Sequence, residues 1–401
     1  MIRFASSATG VVLTITCGAF AQLPPSIVLS PEDMNGARGE IARLEALAGT
    51  APDRCAVVSE IARTWAIAGQ YPEAIAALQK VAALNAGFDI ARDSVFVKVR
   101  GTREFETIVQ SARDATPPIV TSRLAFKVAE GDLVPENLAY DPARREFYFG
   151  SQRKHKIIRC RSTGVCQPFA EGLGTLLGLK VETRNRTLWA LSNSDSESGL
   201  FHYDLASAKL MGKYVLAGAH LFNDVAIAAE GDIYLTDTRT GSVYWLRHGK
   251  DTLEVFGPSG RFRAANGIAI SPDQRTLYLS SFGDGITLID LTSGAARPIA
   301  RPPDLCLGYI DGLYALQRSL IAIQNGPMTP RVVRLRLNRE GDRIERFEVL
   351  ERRNPMFDGV TTGVIAGNQF YFMANIQDEK TEGAVFDPIS ILRIALNRDS
   401  K

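Results

Sequence analysis

The strongest constraint on the fold is a pair of apolar strands that recurs six times between residues 135 and 375. In each unit a short apolar strand is followed, after a turn, by a second and more apolar one. The second strands are residues 147–149, 188–191, 233–235, 277–279, 320–323 and 370–373. The first strands are centred on Leu138, Leu179, Val225, Ile268, Leu313 and Val360, at spacings of 41, 46, 43, 45 and 47 residues. A period of about 40 to 50 residues with only strand signal is typical of a four-stranded propeller blade. The sequence therefore predicts a mainly β protein built on a six-bladed β-propeller.

A propeller has to close into a ring, and the sequence offers a strand for that purpose. Residues 123–128 alternate as a strand does but precede the first unit, and the last strand signal lies at 391–394. We expect these two segments to pair, so that the early strand forms the outer edge of the last blade. Closure of this kind leaves no long unpaired strand edge.

The part of the chain before the repeats, residues 31–115, has a helical period. Apolar residues recur there at spacings of three and four. In the stretch 61–84 the spacing matches the packing positions of a tetratricopeptide repeat. Those positions are Ala62, Trp65, Gly69, Tyr71, Ala74, Leu78 and Val81. We expect a helical, tetratricopeptide-like module at 31–115 and the propeller at 119–398. Because only one repeat is well formed, a protein-docking module and a helical cap on the propeller both remain open.

The first 21 residues have the form of an export signal. Arg3 makes the start basic, residues 11–15 are apolar, and Ala19-Phe20-Ala21 is a small-x-small cleavage sequence. The apolar run is much shorter than the ~20 residues that cross a bilayer. We expect cleavage after Ala21 and a periplasmic or secreted protein without a membrane span.

Export would permit disulfide bonds. Cys160 and Cys166 stand on either side of a predicted tight turn, where they could pair or remain two buried thiols. Cys55 and Cys306 are expected to be free. The chain has 46 Lys and Arg against 44 Asp and Glu, a net charge of +2, so nucleic acid is not an expected partner.

Polar residues stand two places before the first-strand centre in five of the six units. The six positions are Glu136, Leu177, Asn223, Asn266, Asp311 and Asp358. Because the first strand of each blade lines the central channel, these residues should form a ring at one mouth. Carboxylates that converge repel one another unless a cation lies among them. Oxygen donors without Cys or His suit Ca²⁺ better than Mg²⁺, Mn²⁺ or Zn²⁺. The pattern predicts one divalent metal, with calcium preferred.

Two alternatives apply to this ring. Asn266-Gly267, Asp311-Gly312 and Asp358-Gly359 are also dipeptides that form β-turns and could have no other role. His220, three residues before Asn223, could reach the channel, although a packing role is favoured for it.

Several of these motifs together resemble the senescence marker protein, regucalcin and gluconolactonase family. They are Pro135-Glu136-Asn-Leu, Phe222-Asn223-Asp224-Val, Asn266-Gly-Ile-Ala-Ile-Ser-Pro-Asp273 and Asp311-Gly312-Leu, and the resemblance spans about 135–396. It implies a six-bladed propeller with one metal ion, usually calcium, held by residues that match Glu136, Asn266 and Asp311. It also implies a substrate-pocket asparagine that matches Asn223, and lactone or ester hydrolysis in which Asp311 activates water.

Asp358 is an additional carboxylate that the family pattern does not require; it could be a further ligand, a partner of a ligand or a strand cap. Leu221 stands where sugar lactonases of the family carry Arg, and Leu177 where related arylesterases carry His.

The favoured function is therefore an exported, calcium-dependent lactonase or esterase-like hydrolase that acts on a small molecule in the channel. The alternative is a non-enzymatic propeller with a structural metal, whose helical module docks another protein. A quinone-dependent oxidoreductase has less support, because no cluster of His or Arg marks a cofactor pocket.

Overall fold

The computed structural model describes residues 31–84, 86–377, 380 and 383–396. The predicted export signal and its cleavage point lie outside these residues. Within the described part, the strands form six four-stranded antiparallel sheets. Their first strands contact one another in chain order, and that of the sixth sheet contacts that of the first. The six-bladed propeller is confirmed.

Each blade runs from an inner first strand to an outer fourth strand. Blade one consists of β2 (Pro135–Asp141), β3 (Glu146–Ser151), β4 (Ile157–Arg161) and β5 (Cys166–Ala170). Blade two consists of β6 (Thr175–Glu182), β7 (Thr187–Asn193), β8 (Glu197–Asp204) and β9 (Leu210–Ala217). Blade three consists of β10 (Phe222–Ile227), β11 (Ile233–Asp237), β12 (Ser242–Leu246) and β13 (Leu253–Phe256). Blade four consists of β14 (Ile268–Ile270), β15 (Thr276–Ser281), β16 (Gly285–Asp290) and β17 (Ala296–Pro298). Blade five consists of β18 (Ile310–Leu316), β19 (Ser319–Gln324), β20 (Arg331–Leu337) and β21 (Ile344–Arg352).

The sixth blade closes the ring. It contains β22 (Gly363–Ala366), β23 (Gln369–Met373) and β24 (Ile389–Ala395), and its outer strand is β1 (Arg123–Val128) from the start of the propeller. β1 pairs antiparallel with β24, with Leu124 opposite Leu392 and Val128 opposite Ile389. The predicted closure is confirmed.

The first strands carry a β-bulge near their start, where two residues oppose one residue of the second strand. In blade three, Phe222 pairs with Asp237 and Val225 with Leu235, so that Asn223 and Asp224 together oppose one residue. The same two-to-one register occurs at 136–137, 177–178 and 311–312. In blade four, Ser280 bonds the backbone of both Asn266 and Gly267. A bulge changes the direction of side chains and is common beside functional sites.

The register corrects the sequence alignment in blade six. Gly363, and not Val360, pairs with Phe372 and so takes the place of the first-strand centre. The position two places earlier is therefore Thr361. Asp358 lies three residues before it, and Gly359 has a φ of +77°. The backbone of these two residues bonds to Ala374, Ile376 and Gln377, so Asp358 does not take the ring position of this blade.

The glycines after Asn266 and Asp311 have another cause, close packing around the start of the first strands. A Cβ on Gly267 would lie 2.4 Å from the backbone oxygen of Asp311 and 2.9 Å from the backbone nitrogen of Leu313. A Cβ on Gly312 would lie 2.7 Å from the Tyr314 hydroxyl. Gly312 belongs to β18 and Gly267 directly precedes β14, so neither glycine joins the two strands of a hairpin.

We therefore expect Gly267→Ala to lower the free energy of unfolding by about 1–3 kcal/mol, because backbone atoms of blade five would have to move. Urea denaturation would measure it. Gly39→Ala is the control: no atom lies within 4 Å of its added Cβ, and alanine favours the helix that contains it. Equal stability of Gly267→Ala and the wild type would contradict the packing argument.

Within the described residues, four α-helices precede the propeller: α1 (Pro31–Thr50), α2 (Arg54–Ile67), α3 (Tyr71–Ala83) and α4 (Arg103–Asp114). The short connection between α2 and α3 makes them a hairpin. Of the predicted packing positions, Ala62, Ala74, Leu78 and Val81 are buried in one core. The tetratricopeptide likeness remains a prediction. None of these helices is long and apolar enough to cross a membrane.

The helical segment packs on the propeller at the end where the first strands begin. Phe88 forms a β-bridge with Met328, in the loop between β19 and β20, and Asp89 N donates to Pro327 O at 2.8 Å. The buried carboxylate of Asp53 accepts a hydrogen bond of 2.6 Å from Leu307 N, just before β18. Burial raises the pKa of Asp53, and the nearby Arg301 opposes this effect. This packing supports the interpretation of the helices as a cap.

The described residues contain two disulfides. Cys160 is joined to Cys166 within blade one, one of the two possibilities that the sequence left open. Cys55 is joined to Cys306, with Cα atoms 5.8 Å apart, so the expectation of two free thiols is wrong. The error has a physical reason: the two residues are 251 positions apart, and only the docking of α2 beside the start of β18 brings them together.

Loss of the Cys55–Cys306 bond should cost more stability than loss of the other disulfide. Chain-entropy theory gives about 5 kcal/mol for a loop of that length and about 2 kcal/mol for the six-residue separation of Cys160 and Cys166. We expect Cys55→Ser to lower the free energy of unfolding by up to about 3 kcal/mol more than Cys160→Ser, measured in urea under oxidising conditions. A larger loss of stability in Cys160→Ser than in Cys55→Ser would contradict the role of the Cys55–Cys306 bond in holding the helices to the propeller.

Candidate functional site

The bulges place the predicted site residues in one layer of the channel, here called the ring layer. It contains Glu136, Leu177, Asn223, Asn266, Asp311 and Thr361, one from each blade. Glu136, Asn223 and Asp311 are only 2–3% exposed, and Asn266 is half-buried. Asp358 lies outside this layer and is exposed. Four of the five predicted oxygen donors therefore share one position of the blade.

The Asn223 amide has an orientation set by its neighbours. The Thr238 hydroxyl lies 2.6 Å from Ala265 O, to which it donates its proton, and 2.9 Å from Asn223 Nδ2. A hydroxyl has one proton, so Thr238 must accept from the Asn223 amide nitrogen. The amide nitrogen of Asn223 is thus directed to Thr238, and its carbonyl oxygen is the end that a ligand can use.

Both carboxylates of the ring layer are oriented by amide side chains. Asn325 Nδ2 donates to Asp311 Oδ2 at 2.6 Å and also to Val360 O at 2.9 Å. Gln152 Nε2 donates to Glu136 Oε2 at 2.8 Å. Asn325 and Gln152 follow the second strands of their blades, which end beside the ring layer. Neutral donors of this kind fix a carboxylate without neutralising its charge.

The donor chemistry of the layer fits a hard divalent cation. Two carboxylates and two amides offer oxygen, and Ca²⁺ binds such oxygens at coordination numbers of six to eight. Burial of two carboxylates is costly unless a positive charge compensates for it. Glu136, Asn266 and Asp311 are the residues that would hold the ion, and Asn223 would face its substrate.

A second polar layer lies directly below the ring layer and was not predicted from the sequence. It is formed by the second bulge residues Asn137, Gly178, Asp224, Gly267, Gly312 and Thr362. Asp224 is buried and accepts hydrogen bonds from Val225 N at 2.8 Å and Ile268 N at 3.0 Å. Burial raises its pKa, and the positive charge of Lys180 opposes this effect. Asp224 directly follows Asn223 in the sequence. The extra residue of the bulge is the signal by which a second polar layer could be found from the sequence.

His220 has a structural role. Its Nδ1 lies 2.6 Å from Asp237 Oδ2, and the other oxygen of Asp237 accepts from Leu221 N and from Arg239 N. Asp237 thereby ties the turn after β11 to the loop before β10, which agrees with the packing role favoured for His220.

We expect Thr238→Val to lower the free energy of unfolding by about 1–3 kcal/mol. The change has nearly the same shape but leaves the buried Ala265 carbonyl and the Asn223 amide without a partner. Thermal or urea denaturation would measure it, and Thr238→Ser, which keeps the hydroxyl, should restore most of the loss. A Thr238→Val protein as stable as the wild type would contradict the assigned hydrogen bonds.

No protein-family model matches the chain, and no curated protein matches it in sequence. Solved structures do share its fold. The PQQ-bound aldose sugar dehydrogenase of Streptomyces coelicolor is 16% identical with a TM-score of 0.50, over 69% of this chain and 99% of that one. The calcium-binding protein regucalcin of Agrobacterium tumefaciens is 16% identical with a TM-score of 0.50, over 67% and 93%.

A gluconolactonase of Xanthomonas campestris is 16% identical with a TM-score of 0.49, over 70% of this chain and 99% of that one. The predicted resemblance to a regucalcin propeller is confirmed for the fold by the regucalcin structure. Similarity at these identities shows a shared propeller architecture, and the function has to be argued from the site.

Proposed function

We propose that this protein is a metal-dependent lactonase or esterase-like hydrolase that acts at the ring layer, with calcium as the preferred ion. The observation that carries the proposal is the convergence of Glu136, Asn223, Asn266 and Asp311 at one bulge position of four different blades. Three of the four are almost fully buried. A packed strand start would not need two buried carboxylates in one layer, whereas a cation site does.

The ion, when bound, would polarise a carbonyl group and stabilise the negative charge that develops on its oxygen. Glu136, Asn266 and Asp311 would bind it. Asp311 would also accept a proton from the attacking water, and its hydrogen bond from Asn325 keeps the carboxylate in one orientation. Asn223, held by Thr238, would orient the substrate.

The substrate class follows from the apolar positions beside these residues. Leu177 occupies the ring layer in blade two and is buried, and Leu221 is half-buried just before β10. Neither side chain can form a hydrogen bond with a hydroxyl group of a substrate. We therefore propose an aliphatic lactone or an aryl ester as substrate in preference to a sugar lactone.

Export to the periplasm or the medium is part of the proposal. Besides the signal-like sequence at residues 1–21, two disulfides support it, because disulfides persist in oxidising compartments.

Metal analysis of the purified protein tests the site. We expect about one calcium ion per chain in the wild type and its loss in Glu136→Gln and in Asp311→Asn, since each removes a charged ligand. Asp358→Asn is the matched control, because this exposed carboxylate lies outside the ring layer and its loss should leave the metal content unchanged. Absence of any divalent ion from the wild type, or loss of metal only in Asp358→Asn, would contradict the site.

Hydrolysis of a panel of lactones and aryl esters tests the activity. Asn223→Ala should retain the ion but lower kcat/KM by roughly fivefold to thirtyfold, the effect of one or two kcal/mol of lost hydrogen bonding in the transition state. Metal binding without turnover of any substrate would instead favour the non-enzymatic alternative, a propeller with a structural ion whose helices dock another protein.

A further inference from the structure

The channel contains a second compartment, here called the lower chamber, at the end opposite the ring layer. It is a cavity of about 390 Å³ lined by residues of all six first strands. Its rim includes Pro142, Thr183, Gln274 and Gly367, which follow the first strands of four blades. Because the ring layer lies where those strands begin, the lower chamber opens on the other face of the propeller, away from the helices.

The lower chamber reaches inward to Asn137 and Asp224 of the second polar layer. One layer of side chains directly outside these residues bears on its chemistry. This layer, the residues one place after the first-strand centres, contains Ala139, Lys180, Ala226, Ala269, Tyr314 and Val364. Three alanines leave space that two long side chains occupy from opposite blades. Lys180 Nζ of blade two lies 5.9 Å from the ring centre of Tyr314 in blade five. The two residues therefore extend toward each other across the channel.

Lys180 brings a positive charge to this compartment, whose inner end also holds the buried carboxylate of Asp224. Within the described residues, no carboxylate lies within 4 Å of its Nζ, the limit for an ion pair. Asp224 is near enough to interact electrostatically, but its carboxylate is engaged by two backbone amides and by Asn137. An ammonium has three donors, and a charge beside apolar walls is costly without a counter-charge or water.

Beyond Lys180 the walls are apolar. Val181, Ile227, Ile270 and Ile365 line the chamber between Lys180 and the rim. A volume of a few hundred Å³ with apolar walls and a small number of polar groups is typical of a small-molecule site. Lys180 is the one cationic side chain among the described residues that line the chamber, and one cation suits a singly charged anion better than a phosphate dianion.

We propose that the lower chamber binds a monocarboxylate with an apolar tail, such as a medium-chain fatty acid. The carboxylate meets the Lys180 ammonium beside Tyr314, and the tail lies along the aliphatic side chains toward the rim. This site is separate from the ring layer, and the proposal does not depend on hydrolytic activity.

Calorimetric titration of the full-length protein with octanoate tests the proposal. Octanamide, which has the same tail without the charge, and octylamine, which has the opposite charge, are the companion ligands. We expect octanoate to bind at least tenfold more tightly than octanamide, and octylamine to bind least. Lys180→Met should remove the preference for octanoate. Lys213→Met is the matched control, because Lys213 lies on the outer strand of the same blade and pairs with Glu197.

A second variant covers the possibility that Lys180→Met does not fold. Ile270→Trp keeps Lys180 but fills the chamber from a half-buried position near the rim, and it should abolish octanoate binding. Equal affinity for octanoate and octanamide, tighter binding of octylamine, unchanged binding in Lys180→Met or in Ile270→Trp, or no binding of octanoate to the wild type would each overturn the proposal.

Discussion

The antiparallel pairing of β1 with β24 is the interaction on which the rest of the structure depends. It joins residues from the two ends of the propeller, with Val128 opposite Ile389, and so fixes six blades around one axis. In a closed ring, equivalent positions of successive blades lie in layers across the channel. The ring layer, the second polar layer with Asp224 and the layer that contains Lys180 therefore all follow from closure. An open array would hold only neighbouring blades together.

The β-bulge at the start of the first strands is the local feature that makes the site. Alternation along a strand puts successive side chains on opposite faces, and the extra residue of a bulge changes that sequence of directions. Asn223 and Asp224 show the effect: both oppose a single residue of β11, and both contribute polar groups to the channel. The glycines at the same place, such as Gly267, let the next blade approach to backbone contact.

The sequence was sufficient for the number of blades, the closing strand and four of the site positions, because each rests on apolar periodicity or on a residue repeated at the blade period. It was insufficient where the register of the strands determines which residues share a layer. In the sequence Asp358 aligns with the ring because Val360 resembles a strand centre, whereas pairing of Gly363 with Phe372 moves the position to Thr361. The residue types at Asp224, Lys180 and Tyr314 do not recur from blade to blade, and only the closed ring brings these three residues together. The Cys55–Cys306 bond was missed because it depends on the docking of two distant segments.

Helix docking gives the two ends of the channel different surroundings. At the end with the ring layer, Tyr309 donates a hydrogen bond of 2.8 Å to Glu60 of α2 and lies two residues before Asp311. The helices and the Cys55–Cys306 bond thus brace the loop that leads into the site. The other end, with the lower chamber, opens on the opposite face of the propeller.

The most direct test of the central claim is the position of the metal in a crystal structure of the calcium-loaded protein, determined from anomalous scattering. The account predicts one peak in the channel, at about 2.3–2.6 Å from oxygens of Glu136, Asn266 and Asp311, as Ca²⁺ requires. A ring layer with no peak in calcium-saturated crystals, or a peak bound by Asp358 instead, would contradict it.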